Sequence, residues 1–318
     1  MYHQSVLINE SIEALNINPS GIYIDGTFGL GGHSRLILSK LSKNGRLISI
    51  DRDWKAIKVA KLISDQDKRF FFIHTPFSKL YQFIQTIKLV GSINGILLDL
   101  GICEMQLSDR TRGFSFMRDG FLDMRMDVST GQSAARWLST VSQKKLEWVL
   151  RSFGEERFSK RIAKSIVLKR QSQPIFSSLA LSKIITNAVL HYQNHKQHRH
   201  PATRSFLAIR IYINDELEEI KQVLQDSLML LAPKGRLVVI SFNSLEDRLV
   251  KQFIFQYSNL FLPVLSKLAL TNDQILDMYS NKFQLKNIEK LVPSNQEIKQ
   301  NIRARSAILR CAEKISFV

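Results

Sequence analysis

The sequence contains few of the residues that mark metal, redox or membrane proteins. Its two cysteines, Cys103 and Cys311, are far apart and form no Cys-x-x-Cys pair, which excludes a zinc ribbon or a dithiol redox motif. No apolar run approaches the roughly 18–20 residues of a membrane-spanning helix, and runs such as Leu237–Phe242 have the length of buried strands. The first residues resemble neither a signal peptide nor a transit peptide. We therefore expect a cytosolic protein that does not associate with a membrane.

Acidic residues are scarce relative to basic ones. The 28 Asp and Glu residues are outnumbered by 45 Lys and Arg residues, which gives a formal net charge of +17. This excess favours an acidic partner, and a nucleic acid is the usual one. The chain is also rich in Lys, Ile and Asn, a composition that AT-rich genomes produce without any such partner. Charge alone leaves both interpretations open.

The first hundred residues alternate short apolar runs with helical patterns. This rhythm is typical of a parallel sheet flanked by helices. The predicted strands are 21–25, 46–51, 69–74 and 94–100, and the predicted helices are 33–42, 54–63 and 78–89. Later in the chain we predict a long helix over 206–231 that stops at Pro233–Gly235, a fifth strand over 235–242 and a final strand over 305–312.

The rhythm is interrupted between about 107 and 203. No strong strand pattern occurs there, and the segment carries many Arg and Lys residues. Helical patterns are found near 142–151, 155–170 and 178–190. We therefore predict an α/β domain formed by 1–106 and 204–318, with a helical domain inserted over 107–203.

A glycine-rich turn follows the first predicted strand. Its glycines, at 26, 29, 31 and 32, allow close approach of a ligand to the backbone, and the next helix can receive an anion at its start. Asp51 ends the second strand, where a carboxylate can accept hydrogen bonds from ribose hydroxyls. The pattern suits NAD or S-adenosylmethionine. It departs from Gly-x-Gly-x-x-Gly, which favours S-adenosylmethionine because that cofactor has no pyrophosphate. The chain has no Gly-x-x-x-x-Gly-Lys-[Ser/Thr] motif, so a P-loop nucleotidase is not expected.

Several blocks of sequence together resemble one family. They are Asp25–Gly29, Gly31–Ser34, Leu97–Gly101, Arg112–Phe116, Leu122–Asp127, Gly154–Phe158, His200–Arg204, Asn214–Leu217, Ser244–Arg248 and Arg303–Ala307. In this order, and over about 3–313, the chain is similar to the ribosomal RNA small subunit methyltransferase H family, also called MraW.

The resemblance implies a fold and an activity. The fold is a Rossmann-like class I methyltransferase, α/β, with a mostly parallel seven-stranded sheet and an inserted helical domain. The activity is S-adenosylmethionine-dependent methylation of the exocyclic N4 of a cytidine in the decoding region of 16S rRNA, within the small ribosomal subunit. A homodimer is left open. Two rival functions are an NAD-dependent oxidoreductase and a non-catalytic RNA-binding assembly factor.

The resemblance also carries cofactor-binding residues onto this chain. They are Gly31, Gly32 and His33 in the glycine turn, Asp51, Phe77 beside the adenosine, Asp99 at the methionine end or reaction centre, and Gln106. The chain departs from the family pattern at Cys103–Met105, Ser108, Phe121, Leu207 and Asn243. Altered activity therefore stays open.

Asp99 and Asn243 are the candidate catalytic residues. Asp99, at the end of the fourth strand, can accept hydrogen bonds from the N4 amine, or it can contact only the amino group of the cofactor. Many amino methyltransferases carry Asp/Asn-Pro-Pro-aromatic here, whereas this chain has no Pro-Pro pair. Asn243 can read the edge of a base, or it can cap a helix that begins near Leu245. Within Glu246–Arg248 we expect a structural ion pair.

The predicted insert offers candidate RNA contacts. Arg157, Arg161 and Lys164 share one helix face that can follow a phosphate backbone or be merely solvated. Phe114 and Phe116 can stack on a base or belong to a core. Three histidines occur close together but lack the spacing of a metal site, so we expect no metal; they are His195, His198 and His200.

Overall fold

The computed structural model describes residues 5–190, 200–258 and 285–315. By its internal contacts the chain divides into two compact units. The α/β unit comprises residues up to 101 together with those from 218 onward, and the helical unit comprises 102–217. Within the described ranges, no helix is both long and apolar enough to span a bilayer.

The α/β unit is built on one seven-stranded sheet. Its spatial order is β3-β2-β1-β4-β5-β7-β6. Strands β1 to β5 are parallel, whereas β7 runs antiparallel to both of its neighbours. The strands are β1 Ile22–Asp25, β2 Arg46–Asp51, β3 Phe70–His74, β4 Ile93–Asp99, β5 Leu231–Ser241, β6 Leu285–Leu291 and β7 Ile308–Lys314. This order confirms the expected mostly parallel, Rossmann-like α/β fold.

The central strands are apolar on both faces. In β4, Ile96, Leu97 and Leu98 are all fully buried, which is the signature of a parallel sheet covered by helices on each side. The helices of this unit are α1 Ile8–Leu15, α2 Gly32–Lys40, α3 Ala56–Gln66, α4 Leu80–Thr86, α11 Glu216–Leu230, α12 Ser244–Ser258 and α13 Asn295–Gln300. The strand order reverses between β1 and β4, and the carboxyl ends of strands at such a point are where open α/β sheets bind their ligands.

The helical unit has its own core. Its helices are α5 Glu104–Ser108, α6 Ala134–Thr140, α7 Gln143–Gly154, α8 Ser159–Ser172, α9 Ser178–Val189 and α10 Thr203–Asn214. Fully buried side chains from α7, α8, α9 and α10 pack together, among them Leu146, Ile166, Ile185 and Ile209. Serine side chains cap α6, α7 and α9 by accepting backbone hydrogen bonds.

Three details differ from the sequence-based expectation. The predicted helix over 206–231 is two helices, α10 and α11, separated at Asp215, whose φ is 51°. Pro233–Gly235 does not stop a helix, because α11 ends at Leu230 and those residues lie within β5. The final strand begins at Ile308 rather than 305, after a 3-10 turn over Ile302–Ser306.

Candidate functional site

The loop between β1 and α2 is fixed to the strands beneath it. Gly26 donates its N–H to the carbonyl of Leu97 at 2.8 Å, and Phe28 donates to Ile50 at 3.1 Å. Gly31 has a φ of 76°, and a Cβ at this position would lie 2.9 Å from the ring of Phe28. A side chain at 31 would therefore be strained both by its backbone conformation and by its neighbour.

Gly32 and His33 form the first turn of α2. A Cβ on Gly32 would collide with the Oγ of Ser5, so the Ser5 side chain would have to move to accommodate any other residue. His33 is 4% exposed, and its Nδ1 lies 3.9 Å from Oδ2 of Asp99. Backbone N–H groups at the start of a helix are a favourable environment for a carboxylate or a phosphate.

Asp25 and Thr27 hold this loop but were not among the predicted site residues. The buried carboxylate of Asp25 accepts hydrogen bonds from Ser34 Oγ at 2.6 Å and from the Thr27 N–H at 3.1 Å. Burial raises the pKa of Asp25 to about 6, against the lowering effect of these two hydrogen bonds. Thr27 Oγ1 in turn accepts the N–H of Asp99 at 2.6 Å. In the sequence, the only indication of a role for Asp25 and Thr27 was their position in the Asp25–Gly29 block.

Asp51 ends β2, and each of its carboxylate oxygens accepts one backbone N–H. Oδ2 accepts from Gly29 at 2.7 Å, and Oδ1 accepts from Asp53 at 2.8 Å. Burial raises the pKa of Asp51, whereas these hydrogen bonds lower it. Each oxygen still has a lone pair for a further donor. The carboxylate is thus held in one orientation, as the binding of a vicinal diol requires.

Asp99 ends β4 with an incompletely bonded carboxyl group. Its side chain is 24% exposed, yet Oδ1 is buried and finds no hydrogen-bond partner within the described part of the chain. Burial raises the pKa of Asp99 to about 8, with further contributions from the negative charges of Asp25 and Glu246. A carboxyl group with an unbonded oxygen and a strongly raised pKa is typical of a functional site.

Asn243 follows β5 and caps α12. Its Oδ1 accepts the N–H groups of Leu245 at 3.0 Å and Glu246 at 3.1 Å. Glu246 Oε2 accepts in return from Phe242 at 2.8 Å and Asn243 at 3.3 Å, which completes a capping box. The helix-cap interpretation of Asn243 is confirmed, and contact of its amide with a base stays a prediction.

One carboxylate of the Glu246–Arg248 segment, where we expected a structural ion pair, pairs with a residue of β7. Asp247 accepts two hydrogen bonds from the guanidinium of Arg310, at 2.8 and 3.1 Å. Asp247 therefore joins α12 to β7.

Phe77 and Gln106 lie in different units. Phe77 begins a 3-10 turn after β3, and that turn is held by Ser78, which donates to Glu219 through its N–H at 3.1 Å and its Oγ at 2.8 Å. Gln106 belongs to the helical unit, is 5% exposed, and accepts the N–H of Cys103 at 3.1 Å. Contact of either residue with a cofactor stays a prediction.

Several basic residues of the helical unit are structural. Arg112 is 3% exposed and donates to the carbonyls of Arg125 and Met126, both at 2.8 Å. Arg125 pairs with Asp123 at 2.7 Å, and Arg170 donates to two backbone carbonyls. The basic side chains exposed in and near α8 are those of Arg157, Lys160, Arg161, Lys164 and Lys169.

The candidate stacking aromatics belong to the core of the helical unit. Phe114 is 6% exposed, and Phe116 stacks on His200 with ring centroids 4.7 Å apart and contacts Phe206 edge-on. His195 and His198 lie outside the described residues. Among the residues that are described, no group of three or more His, Cys, Asp or Glu side chains could hold a metal ion.

Comparison with known proteins identifies the family. The model of the MraW methylase family matches residues 1–315. A protein of Blochmanniella floridana named ribosomal RNA small subunit methyltransferase H is 62% identical over 319 residues, covering 100% of this chain and 99% of the relative. Proteins of the same name from Blochmanniella pennsylvanica and Baumannia cicadellinicola are 61% and 55% identical, covering 99% of this chain and 94% and 98% of the relatives. The chain therefore belongs to the MraW methylase family and is a methyltransferase that uses S-adenosylmethionine.

Proposed function

We propose that this protein methylates the exocyclic N4 of a cytidine in 16S rRNA of the small ribosomal subunit, in the cytoplasm where ribosomes assemble. The observation that carries the proposal is Asp99, whose buried Oδ1 is unbonded and whose backbone N–H is tied to the glycine loop through Thr27. The names of the full-length relatives support rRNA as the substrate. The net charge of +17 agrees with a polyanionic partner.

The residues of the α/β unit fit the cofactor. The first turn of α2, from Gly32 and His33, offers N–H donors for the methionine carboxylate, and Gly31 leaves no side chain over the loop. Asp51 offers an oriented carboxylate for the ribose hydroxyls. Phe77 completes the part of the predicted set that lies in this unit. S-adenosylmethionine supplies an electrophilic methyl group on a sulfonium when it is bound.

The reaction depends on positioning, because the N4 amine is a poor nucleophile. Its lone pair is delocalised into the cytosine ring, and its proton becomes acidic only as the new N–C bond forms. The enzyme therefore holds N4 in line with the methyl group. N4 gains the methyl group, the C–S bond breaks, and one N4 proton leaves. A carboxylate that accepts the N4–H both orients the lone pair and stabilises the developing positive charge.

Asp99 is suited to that role once positive charge is nearby. With a pKa of about 8, it is largely protonated at neutral pH in the free protein. A cationic sulfonium and ammonium favour its ionised form, because opposite charges lower the pKa of a carboxyl group. Asp99 then accepts a hydrogen bond from N4 and is the proposed acceptor of its proton. The target base must be unpaired or flipped out to reach it.

The proposal is tested by methyl transfer to small ribosomal subunits that lack the modification. With isotopically labelled S-adenosylmethionine, mass mapping should find a single modified cytidine carrying the label on N4. Asp99→Asn should bind the subunits and leave them unmodified. Label on another base or ring atom would refute the proposal. Binding without transfer by the natural protein would instead favour an assembly factor, the alternative that Cys103–Met105 and Asn243 leave open.

A further inference from the structure

Phe242 extends beyond the carboxyl end of β5, beside the strand that ends in Asp99. We propose that its ring is the surface on which the target cytosine stacks during methyl transfer. This inference rests on the proposed function and deepens it, because it names the residue that fixes the plane of the base.

The register of the sheet places Phe242 on the same face as Asp99. Asp99 pairs with Ile240 in the parallel ladder, and Leu100 donates its N–H to the carbonyl of Ile240 at 2.9 Å. Strand β5 ends at Ser241, and Phe242, the next residue, packs against the same apolar cluster that contains Ile240. Phe242 therefore lies on the face of the sheet that Ile240 shares with its ladder partner Asp99. From the strand rise and spacing, the Cα atoms of Phe242 and Asp99 are about 8 Å apart. This separation suits a pyrimidine that stacks on one residue and presents its edge to the other.

Gly101 leaves room beside the ring. Its φ is 102°, and a Cβ built on it would lie 3.9 Å from Cδ2 of Phe242. The end of β4 therefore contributes backbone, rather than a side chain, next to the aromatic surface. An aromatic residue would follow Asp99 if the chain carried the Pro-Pro-aromatic motif, but Leu100 and Gly101 stand there. The neighbouring strand thus supplies the aromatic surface that this strand lacks.

The position of Phe242 is fixed before any substrate binds. Its N–H donates to Oε2 of Glu246 at 2.8 Å, and Glu246 is only 1% exposed. The Phe242 side chain packs against the apolar core of the α/β unit and remains partly exposed. A ring held in this way can receive a base without first being ordered, as an efficient binding site requires.

The experiment compares Phe242→Leu with Phe242→Tyr on small subunits reconstituted with 16S rRNA. The leucine variant should lose about 10- to 100-fold in single-turnover methyl transfer, the range expected for loss of one base–aromatic stack. The tyrosine variant should keep most of the natural rate. Both variants should bind S-adenosylmethionine as the natural protein does in calorimetry, because the glycine loop and Asp51 are unchanged.

A second measurement separates stacking from a structural role. Subunits carrying an abasic nucleotide at the target position should bind the natural protein more weakly than intact subunits do. In Phe242→Leu this difference should largely disappear, because the two changes remove the same contact. If the abasic nucleotide weakens binding equally in the natural protein and in Phe242→Leu, the stacking role is wrong. A natural rate of methyl transfer in the leucine variant would also overturn it, and in either case the proposed function would stand. If the natural protein transfers no methyl group to any subunit, both proposals fail.

Discussion

Each unit contains a buried polar side chain, and the two side chains, Asn214 and Asp99, differ in how completely they are hydrogen-bonded. In the helical unit, Asn214 donates to the carbonyls of Met124 and Arg210 and accepts the N–H of Met126, all within 2.9 Å. In the α/β unit, carboxyl groups gather at the ends of parallel strands, and Asp99 keeps a buried oxygen without a hydrogen bond among the described residues. The hydrogen bonds of Asn214 maintain the fold, whereas Asp99 keeps an oxygen that can accept a hydrogen bond from the ligand we propose.

This contrast shows that a distinctive sequence block is not by itself a site. The blocks Arg112–Phe116 and Leu122–Asp127 are as characteristic of the family as the glycine loop. Their polar side chains nevertheless bond to nearby backbone, as Arg112 does to two carbonyls. A buried carboxyl group with a raised pKa costs stability, and such a cost is maintained where binding or catalysis uses it.

The largest expected effect is the loss of turnover in Asp99→Asn. The amide preserves the shape of the side chain but removes the proton acceptor, and we expect single-turnover methyl transfer to fall about 10²- to 10⁴-fold. Asp247→Asn is the matched control, because Asp247 pairs with Arg310 and should change the rate only slightly. An Asp99→Asn enzyme with the natural rate would show that the unbonded carboxyl group of Asp99 does not serve the reaction.

Asn214→Ala should chiefly affect the stability of the helical unit. It removes three buried hydrogen bonds and leaves their partners unsatisfied, which we expect to lower the free energy of unfolding by about 2–4 kcal/mol. Urea titration followed by circular dichroism measures this change. The affinity of the folded variant for S-adenosylmethionine should be unchanged, and a selective loss of that affinity would show that Asn214 also serves the site.

Asp51→Ala should weaken cofactor binding about 10- to 100-fold, because a charged acceptor of ribose hydroxyls is lost together with the anchor of Gly29. Calorimetry with S-adenosylhomocysteine measures the affinity. Asp67→Ala is a suitable control, since this carboxylate pairs with Arg69 outside the loop. Equal affinities for the Asp51 and natural proteins would exclude the ribose role.

The contribution of Asp99 to the stability of the cofactor-free protein should fall as pH rises from about 4 to about 8. The folded-state pKa of Asp99, about 8, exceeds the ordinary value of 3.8, so the native state holds a proton that the unfolded state releases. Asp99→Asn should therefore be more stable than the natural protein at pH 8.5, by about 1–3 kcal/mol after allowance for partial exposure. This advantage should vanish near pH 4, and a gain of equal size at both pH values would contradict the raised pKa.

The smallest expected effect concerns the exposed basic face of α8. Neutralising Arg161 and Lys164 together as glutamines should weaken binding to small subunits a few-fold and flatten its salt dependence. Lys61→Gln with Lys68→Gln removes the same charge from exposed positions of the α/β unit. Salt slopes that are the same for both double variants would show that the α8 face does not contact phosphate.

Several elements could be predicted because their causes are local. Strand β2 was predicted over 46–51 and is observed there. A short, mostly apolar run between Arg46 and Asp51 is too short for a helix and is typical of a buried strand. The break between α10 and α11 was missed because it depends on partners outside the helix. Asn214 bonds to the 124–126 segment, and Glu216 pairs with Arg210 at 2.8 Å. Strand β6 was also missed, because it carries polar residues and, within the described ranges, pairs with β7 alone.

By itself, the sequence determined the α/β rhythm, the glycine loop and the strand-end carboxylates, because periodicity and turn chemistry act over a few residues. Tertiary structure decided which of the polar groups form hydrogen bonds within the protein. Met126 meets Asn214 across 88 residues of chain, and Asp99 has no comparable partner for Oδ1 within the described ranges. Burial and hydrogen bonding depend on neighbours that are distant in sequence, so only the folded chain separates an arginine that is hydrogen-bonded within the fold from a buried carboxyl group with an unbonded oxygen.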